Sequence, residues 1–178
     1  MRWTLVFEVV ERLSDLANYP APFEAQRVHV RPEWIDHNGH MNVAYYLMAF
    51  DESIGELFDA IGLTRASRRE NQIMTFVGDF HIQYLRELVA DDPIQITHQL
   101  VGYDQKRIHL CLAMNHADQG YVAALAEVIS LHIDANTRRV SPMGRTLYRE
   151  VSALAAAHAH LPAPSNQSRV ISIAPKTA

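Results

Sequence analysis

At 178 residues, 48% hydrophobic and 20% charged, the chain has the length and makeup of one soluble globular domain with short extensions. A formal charge of -4 excludes a broad basic surface, and with it nucleic acid as the main partner. The single cysteine, Cys111, excludes a disulfide within the chain and predicts a reducing, cytoplasmic setting. No stretch reaches the roughly 20 apolar residues that a membrane-crossing helix needs.

In residues 1–20, Leu5, Val6, Val9, Val10, Leu13 and Leu16 recur at helical spacing. Glu8 and Glu11 break the apolar run, and no small-residue cleavage pattern follows. The segment therefore reads as an amphipathic helical extension, docked on the domain or on a second subunit. Pro20 and Pro22 separate it from a first strand within "FEAQRVHVRPEWID", which Pro32 ends or bends. A long helix then opens near Asn42 or Val43. Val43, Tyr46, Leu47, Phe50, Ile54, Leu57, Phe58 and Ile61 form its buried stripe, with Gly62 as C-cap. Gly55 inside this helix predicts a close approach to a sheet. "TRASRRENQ" reads as a polar loop.

The period then changes to two. In "IMTFVGDFHIQYLREL", Met74, Phe76, Phe80, Ile82 and Tyr84 fall on one face and Thr75, Asp79, His81 and Gln83 on the other. "IQITHQLVGY", "KRIHLCLAMNH" and "YVAALAEVISLHID" are three further strands joined by short turns. The last is apolar on both faces in its first half, as a central strand is. Ser141 as N-cap and Pro142 at the first helical position open a C-terminal helix. The expected organisation is a helical extension over 1–20, an α+β domain over 21–140, a C-terminal helix over 141–161 and a flexible tail over 162–178. A sheet of this size leaves its edge and outer face uncovered, which argues for an oligomer that extends the sheet.

Chemistry concentrates in "DHNGHMN", Asp36 to Asn42, directly before the long helix. The first backbone N–H groups of a helix have no intrahelical partner and sit at the positive end of its dipole. A carboxylate beside such donors is what acyl transfer to water requires: Asp36 attacks or activates water, and fixed amides hold the oxyanion. The same residues also suit plain turn and cap chemistry. His37 and His40 lack a third ligand at zinc spacing, so no metal is expected. Glu127, in a strand that should be buried, calls for a basic partner.

"DHNGHMN" followed by "YYL" and an apolar helix resembles the Asp-x-x-Gly-His-x-Asn signature of hot-dog-fold acyl-CoA thioesterases of the 4-hydroxybenzoyl-CoA thioesterase group. "FHIQYLRELVADDPIQI" and "AEVISLHID" are similar to that family's second and final strands, so the resemblance runs from Val28 to about Asp134. "VRPEWIDHNGHM", "DQKRIHL" and "AEVISLHID" are most similar to thioesterase-like domains of bacterial carnitine breakdown, including betainyl-CoA thioesterases. The resemblance implies a hot-dog fold, a long central helix wrapped by a curved antiparallel sheet of about five strands. It implies Asp36 as nucleophile or general base and the Val43 backbone N–H as the group polarising the thioester carbonyl. Gly39, His40 and Asn42 would shape the loop. Many relatives carry a second asparagine where this chain has Val43, which removes a side-chain role there and keeps the backbone donor.

The acyl pocket would draw on Trp34, Tyr45, Tyr46, Phe50, His81 and Tyr84, whose aromatic faces would suit a quaternary ammonium, with Asp51 or Glu52 adding negative charge. Arg65, Arg68, Arg69, Arg138 and Arg139 are the candidate partners of the CoA phosphates. CoA is part of the substrate, and no separate cofactor is expected. The partners expected are a small-molecule acyl-CoA and a second copy of the chain, as a homodimer or a dimer of dimers, with neither nucleic acid nor membrane. Two other functions remain open: a hot-dog enoyl-CoA hydratase, whose aspartate–histidine spacing is one residue longer, and a non-catalytic acyl-CoA-binding module.

Overall fold

The computed structural model describes residues 19–168. The helical extension read over 1–18 and the end of the tail, 169–178, lie outside the described residues. Seven strands form one antiparallel sheet with the main path β1 (Phe23–Glu24), β4 (Pro93–Tyr103), β5 (Arg107–His116), β6 (Val122–Asp134) and β3 (Ile73–Tyr84). The short β2 (Val28–His29) also pairs with β4, and β7 (Arg139–Val140) pairs with β6. Among the described residues three α-helices complete the domain: α1 (Val43–Ala60), α2 (Arg65–Glu70) and α3 (Arg145–His158).

The stripe on α1 buries Tyr46, Phe50, Ile54, Leu57 and Phe58 in one cluster with Ile94, Ile96, Leu110, Leu112, Ala126 and Val128 of the sheet. Apolar periodicity of 3.6 against periodicity of 2 produces this helix-on-sheet core. At the C-terminal end Gly62 N–H donates to Asp59 O (3.0 Å) and Leu63 N–H to Phe58 O (2.7 Å). That pattern closes the helix where the cap glycine predicts it.

Several expectations change. The single first strand is two short ones: from Glu24 to Val28 the chain advances four residues while its partner β4 advances three, from Thr97 to Ile94. The extra residue breaks the ladder. The polar loop at 64–72 contains α2, because the Thr64 hydroxyl caps it by accepting from Ser67 N–H (3.1 Å). The helix α3 starts at Arg145, not at Pro142: Ser141 is held by His132, whose Nδ1 lies 2.9 Å from Ser141 O, and Met143 N–H donates to Gln105 O (2.6 Å). Gly55 meets nothing: a Cβ built there has no heavy atom within 4 Å among the described residues.

The face assignment on β3 also changes. Val77 pairs with Ser130 and Asp79 with Ile129, so Gly78 is an extra residue. Opposed residues of antiparallel strands point to the same side. Phe80 and Ile82, opposite Val128 and Ala126, face the α1 side, whereas Phe76 and Met74, opposite Leu131 and Ile133, face away from it. Residues 162–168, read as part of a flexible tail, lie on the outer face. Gln99 Nε2 donates to Pro162 O (3.1 Å) and Asn166 Nδ2 to Ala126 O (2.8 Å).

Candidate active site

The loop before α1 is a small hairpin. Ile35 and Met41 bridge, Asp36 N–H donates to His40 O (3.0 Å), and Gly39 N–H donates to Asp36 O (3.0 Å). Gly39 has φ +83°, the left-handed conformation that ends a type I turn in a hairpin loop of this length. Buried Trp34 anchors the hairpin, its carbonyl accepting from Asn42 N–H (2.9 Å) and its ring stacking on Tyr45 at 5.8 Å. Met41 N–H donates to Leu88 O (2.7 Å) and ties the loop to the end of β3's connection.

The Asp36 side chain is only 15% exposed, and one of its oxygens, Oδ1, accepts from Asn38 N–H (2.8 Å). That bond, seconded by the His40 and His37 rings, holds its pKa below the ordinary aspartate value, so the carboxylate is charged at neutral pH. His40 Nδ1 stands 3.9 Å from Oδ1. The Asn38 side chain also hydrogen-bonds the carboxylate. Asn38 thus orients the group through its backbone and its side chain.

Asn42 is the N-cap: its side chain accepts from Ala44 N–H (3.0 Å). Val43 N–H finds no acceptor among the described residues, and Val43 itself is 59% exposed. It is a free donor at the positive end of an 18-residue helix. Beside it runs a groove of about 330 Å³ lined by Val43, Ala44 and Leu47 of α1 and Phe80, Ile82 and Tyr84 of β3. Tyr84 crosses its mouth, the hydroxyl 3.4 Å from Val43 O. Asp36 is not among the lining residues.

The structure divides the residues singled out in the sequence. Trp34, Tyr46 and Phe50 are core, at 2%, 4% and 0% exposure, and support the site from behind instead of lining it. Tyr45 stacks on Trp34, and Tyr46 meets the Tyr84 ring edge-on at 5.2 Å. His81, past the bulge alternation, sits opposite Glu127 on the face away from α1, so it cannot share a pocket with the helix start. Arg68 is committed to its own fold: Nε donates to Leu63 O (2.8 Å), and the guanidinium lies over Phe58. Arg65 and Arg69 stay exposed along α2, Arg139 is exposed, and Arg138 lies over Phe76. Leu47, placed in the buried stripe by spacing, is 45% exposed with Val43. The groove residues Ala44, Phe80 and Ile82 were not among the sequence candidates. Val43 and Leu47, one helical turn apart, were the available signal.

The model of the thioesterase-like superfamily matches residues 30–151, a span that contains the hairpin, α1 and all four long strands. The chain belongs to the thioesterase-like superfamily. Its fold is the hot-dog fold of that superfamily, a long helix packed on an antiparallel sheet. Among curated relatives of this superfamily member, a betainyl-CoA thioesterase of Pseudomonas aeruginosa is 34% identical over 146 residues, 82% of this chain and 92% of that protein. An L-carnitine dehydrogenase/betainyl-CoA thioesterase of Rhizobium meliloti is 31% identical over 148 residues, 83% of this chain but 30% of that longer protein. Among solved structures, the Staphylococcus aureus protein SAV2348 in complex with CoA superposes with a TM-score of 0.81 at 26% identity, covering 88% of this chain and 99% of that one.

Proposed function

We propose that this chain hydrolyses a small acyl-CoA of the betainyl class to the free acid and CoA, with Asp36 as nucleophile or general base and the Val43 N–H as oxyanion donor. Thioesterase-like membership makes it a thioester hydrolase of the acyl-CoA kind, and the curated relatives named above act on betainyl-CoA. One observation carries the assignment of roles. A shielded carboxylate, oriented by Asn38, opens the hairpin loop that leads into a helix whose first amide is unpaired among the described residues.

The chemistry follows from that arrangement. The thioester carbonyl oxygen accepts from Val43 N–H, and negative charge developing on it is stabilised by the helix end. Either Oδ2 adds to the carbonyl carbon and water then cleaves the mixed anhydride, or Oδ2 takes a proton from the attacking water. In both routes the C–S bond breaks, the thiolate leaves and is protonated, and one water is consumed in forming the acid.

The betainyl assignment rests on the relatives and on two side chains. Tyr84, 48% exposed, offers an aromatic face in the groove to a quaternary ammonium. Asp51 continues the Val43–Leu47 row at the next turn of α1 and is exposed, placing a carboxylate on the same side of the helix. Of the arginines, the exposed Arg65, Arg69 and Arg139 remain candidates for the CoA phosphates.

The working unit is a homodimer. Among the described residues the twelve-residue strand β3 pairs on one side only, with β6, and exposed Val43, Leu47, Val77 and Tyr84 flank its open edge. A second copy added along this edge would close the groove and bury the apolar residues. No helix of the described residues is long and apolar enough to cross a membrane, and the buried free thiol of Cys111 suits the cytoplasm.

The deciding experiment presents the wild-type chain and Asp36→Asn with betainyl-, acetyl-, benzoyl- and medium-chain acyl-CoA and reads released thiol. Betainyl-CoA should be the preferred substrate, and turnover by the variant should fall by about 10² or more. Preference for another acyl group removes the betainyl assignment, and an active variant removes Asp36 from the mechanism.

A further inference from the structure

We propose that His109, Cys111 and Glu127 form a binding site for a divalent transition-metal ion, zinc by ligand chemistry, on the sheet face turned away from α1. His109 and Cys111 are two apart on β5 and so share a face. Cys111 stands directly opposite Glu127 of β6, and Glu127 directly opposite His81 of β3. The register thus assembles on one patch what the sequence keeps eighteen positions apart.

The ligand atoms of His109, Cys111 and Glu127 all lie within 4.8 Å of one another, and His109 Nε2 is 2.8 Å from Glu127 Oε1. Tetrahedral zinc with bonds of about 2.0–2.3 Å needs its donors roughly 3.5 Å apart, so small side-chain rotations close the site. A cavity of about 530 Å³ lined by Asp79, His81, His109 and Glu127 opens over the patch. It supplies an entry path, and a fourth ligand from His81 or water. Ser168 N–H already donates to both Glu127 oxygens, at 2.9 and 2.8 Å. A carboxylate has about four lone-pair positions, so it can accept this amide and bind a cation.

Charge favours the ion over the other use of such a trio, a nucleophilic cysteine. Cys111 is 3% exposed and stands directly beside Glu127. A thiolate made there for nucleophilic work would stand unpaired beside a carboxylate. A dication reverses the balance: one thiolate, one carboxylate and a neutral imidazole bring the site to zero net charge, and the thiol proton passes to solvent. The ion would join β5 to β6 beneath the 162–168 segment, away from the groove beside Val43.

The test strips the purified full-length chain with a chelator, then titrates it with Co²⁺ while recording absorption and proton release, and displaces the cobalt with Zn²⁺. The wild type should bind one Co²⁺ per chain with a thiolate-to-cobalt charge-transfer band and release about one proton. The band should vanish in Cys111→Ser, and Glu127→Gln should weaken binding roughly tenfold or more. A wild type without the band, or a band that survives in Cys111→Ser, overturns the proposal. Should Cys111→Ser fail to fold, unchanged affinity in Glu127→Gln overturns it equally.

Discussion

His98 makes a prediction whose size follows from the structure. It lies on β4 opposite Phe23 and Leu112, has no exposed surface, and neither ring nitrogen has a hydrogen-bond partner among the described residues. Burial, and secondarily His158, lowers its pKa from 6.5 to about 3. The folded protein therefore holds it neutral where the unfolded chain protonates it. For a histidine with a depressed folded pKa, stability is intact above the unfolded value and is lost as pH falls from 6.5 toward 3. Each unit in that window costs about 1.4 kcal/mol, so about 2 kcal/mol is gone by about pH 5. That is a large share of the ~5–15 kcal/mol that holds a typical domain folded. His98→Leu removes the titration and both unpaired nitrogens at similar volume. Urea unfolding of both proteins near pH 8 and pH 5, at one protein concentration, isolates the site, since His158 contributes to each alike. The variant should be about 2 kcal/mol less sensitive to the acid step. Equal losses in the two proteins would refute the account of His98 as a neutral, unpaired core group.

Gly55→Ala should stabilise the chain by roughly 0.5–1 kcal/mol in thermal or urea melts, because a methyl there meets nothing and helix propensity rises. A loss instead would show that the partner subunit packs on this position. Gly39→Ala should cost about 1 kcal/mol or more and lower turnover with it, since φ +83° strains any L side chain and Asp36 rides on the same turn. Turnover without loss of kcat would uncouple the turn from the site. Because the Asn38 amide holds Asp36 below the ordinary aspartate range, kcat/KM should show no acidic limb down to about pH 5, where carboxylates of ordinary pKa are still charged. A limb near neutrality would point to a different base.

The long helix was legible because its apolar spacing, Asn42 cap and Gly62 terminus all agree, and the four long strands because their alternation is bounded by turns. The loop's turn chemistry was legible too: Gly39 takes the left-handed turn position and Asn42 caps the helix. The acyl pocket was not. Aromatic residues near the motif suggest a lining, yet Trp34, Tyr46 and Phe50 are core, since periodicity marks a buried face without saying what buries it. Exposed Val43 and Leu47 carried the better signal, an apolar pair that spacing assigned to the core and packing left at the surface.

The amino-acid order alone determined the long helix, the four long strands and the turn before α1, because these depend on interactions a few residues long. Tertiary structure decided everything that depends on register. One extra residue at Gly78 sent Phe76 to one face and Phe80 to the other. Strand pairing brought Glu127 to His109 and Cys111, and pairing of β4 with β1 enclosed His98 against Phe23 without a hydrogen-bond partner among the described residues. In a sheet, a slip of one residue exchanges the two faces, so distant side chains meet only when the whole ladder has formed.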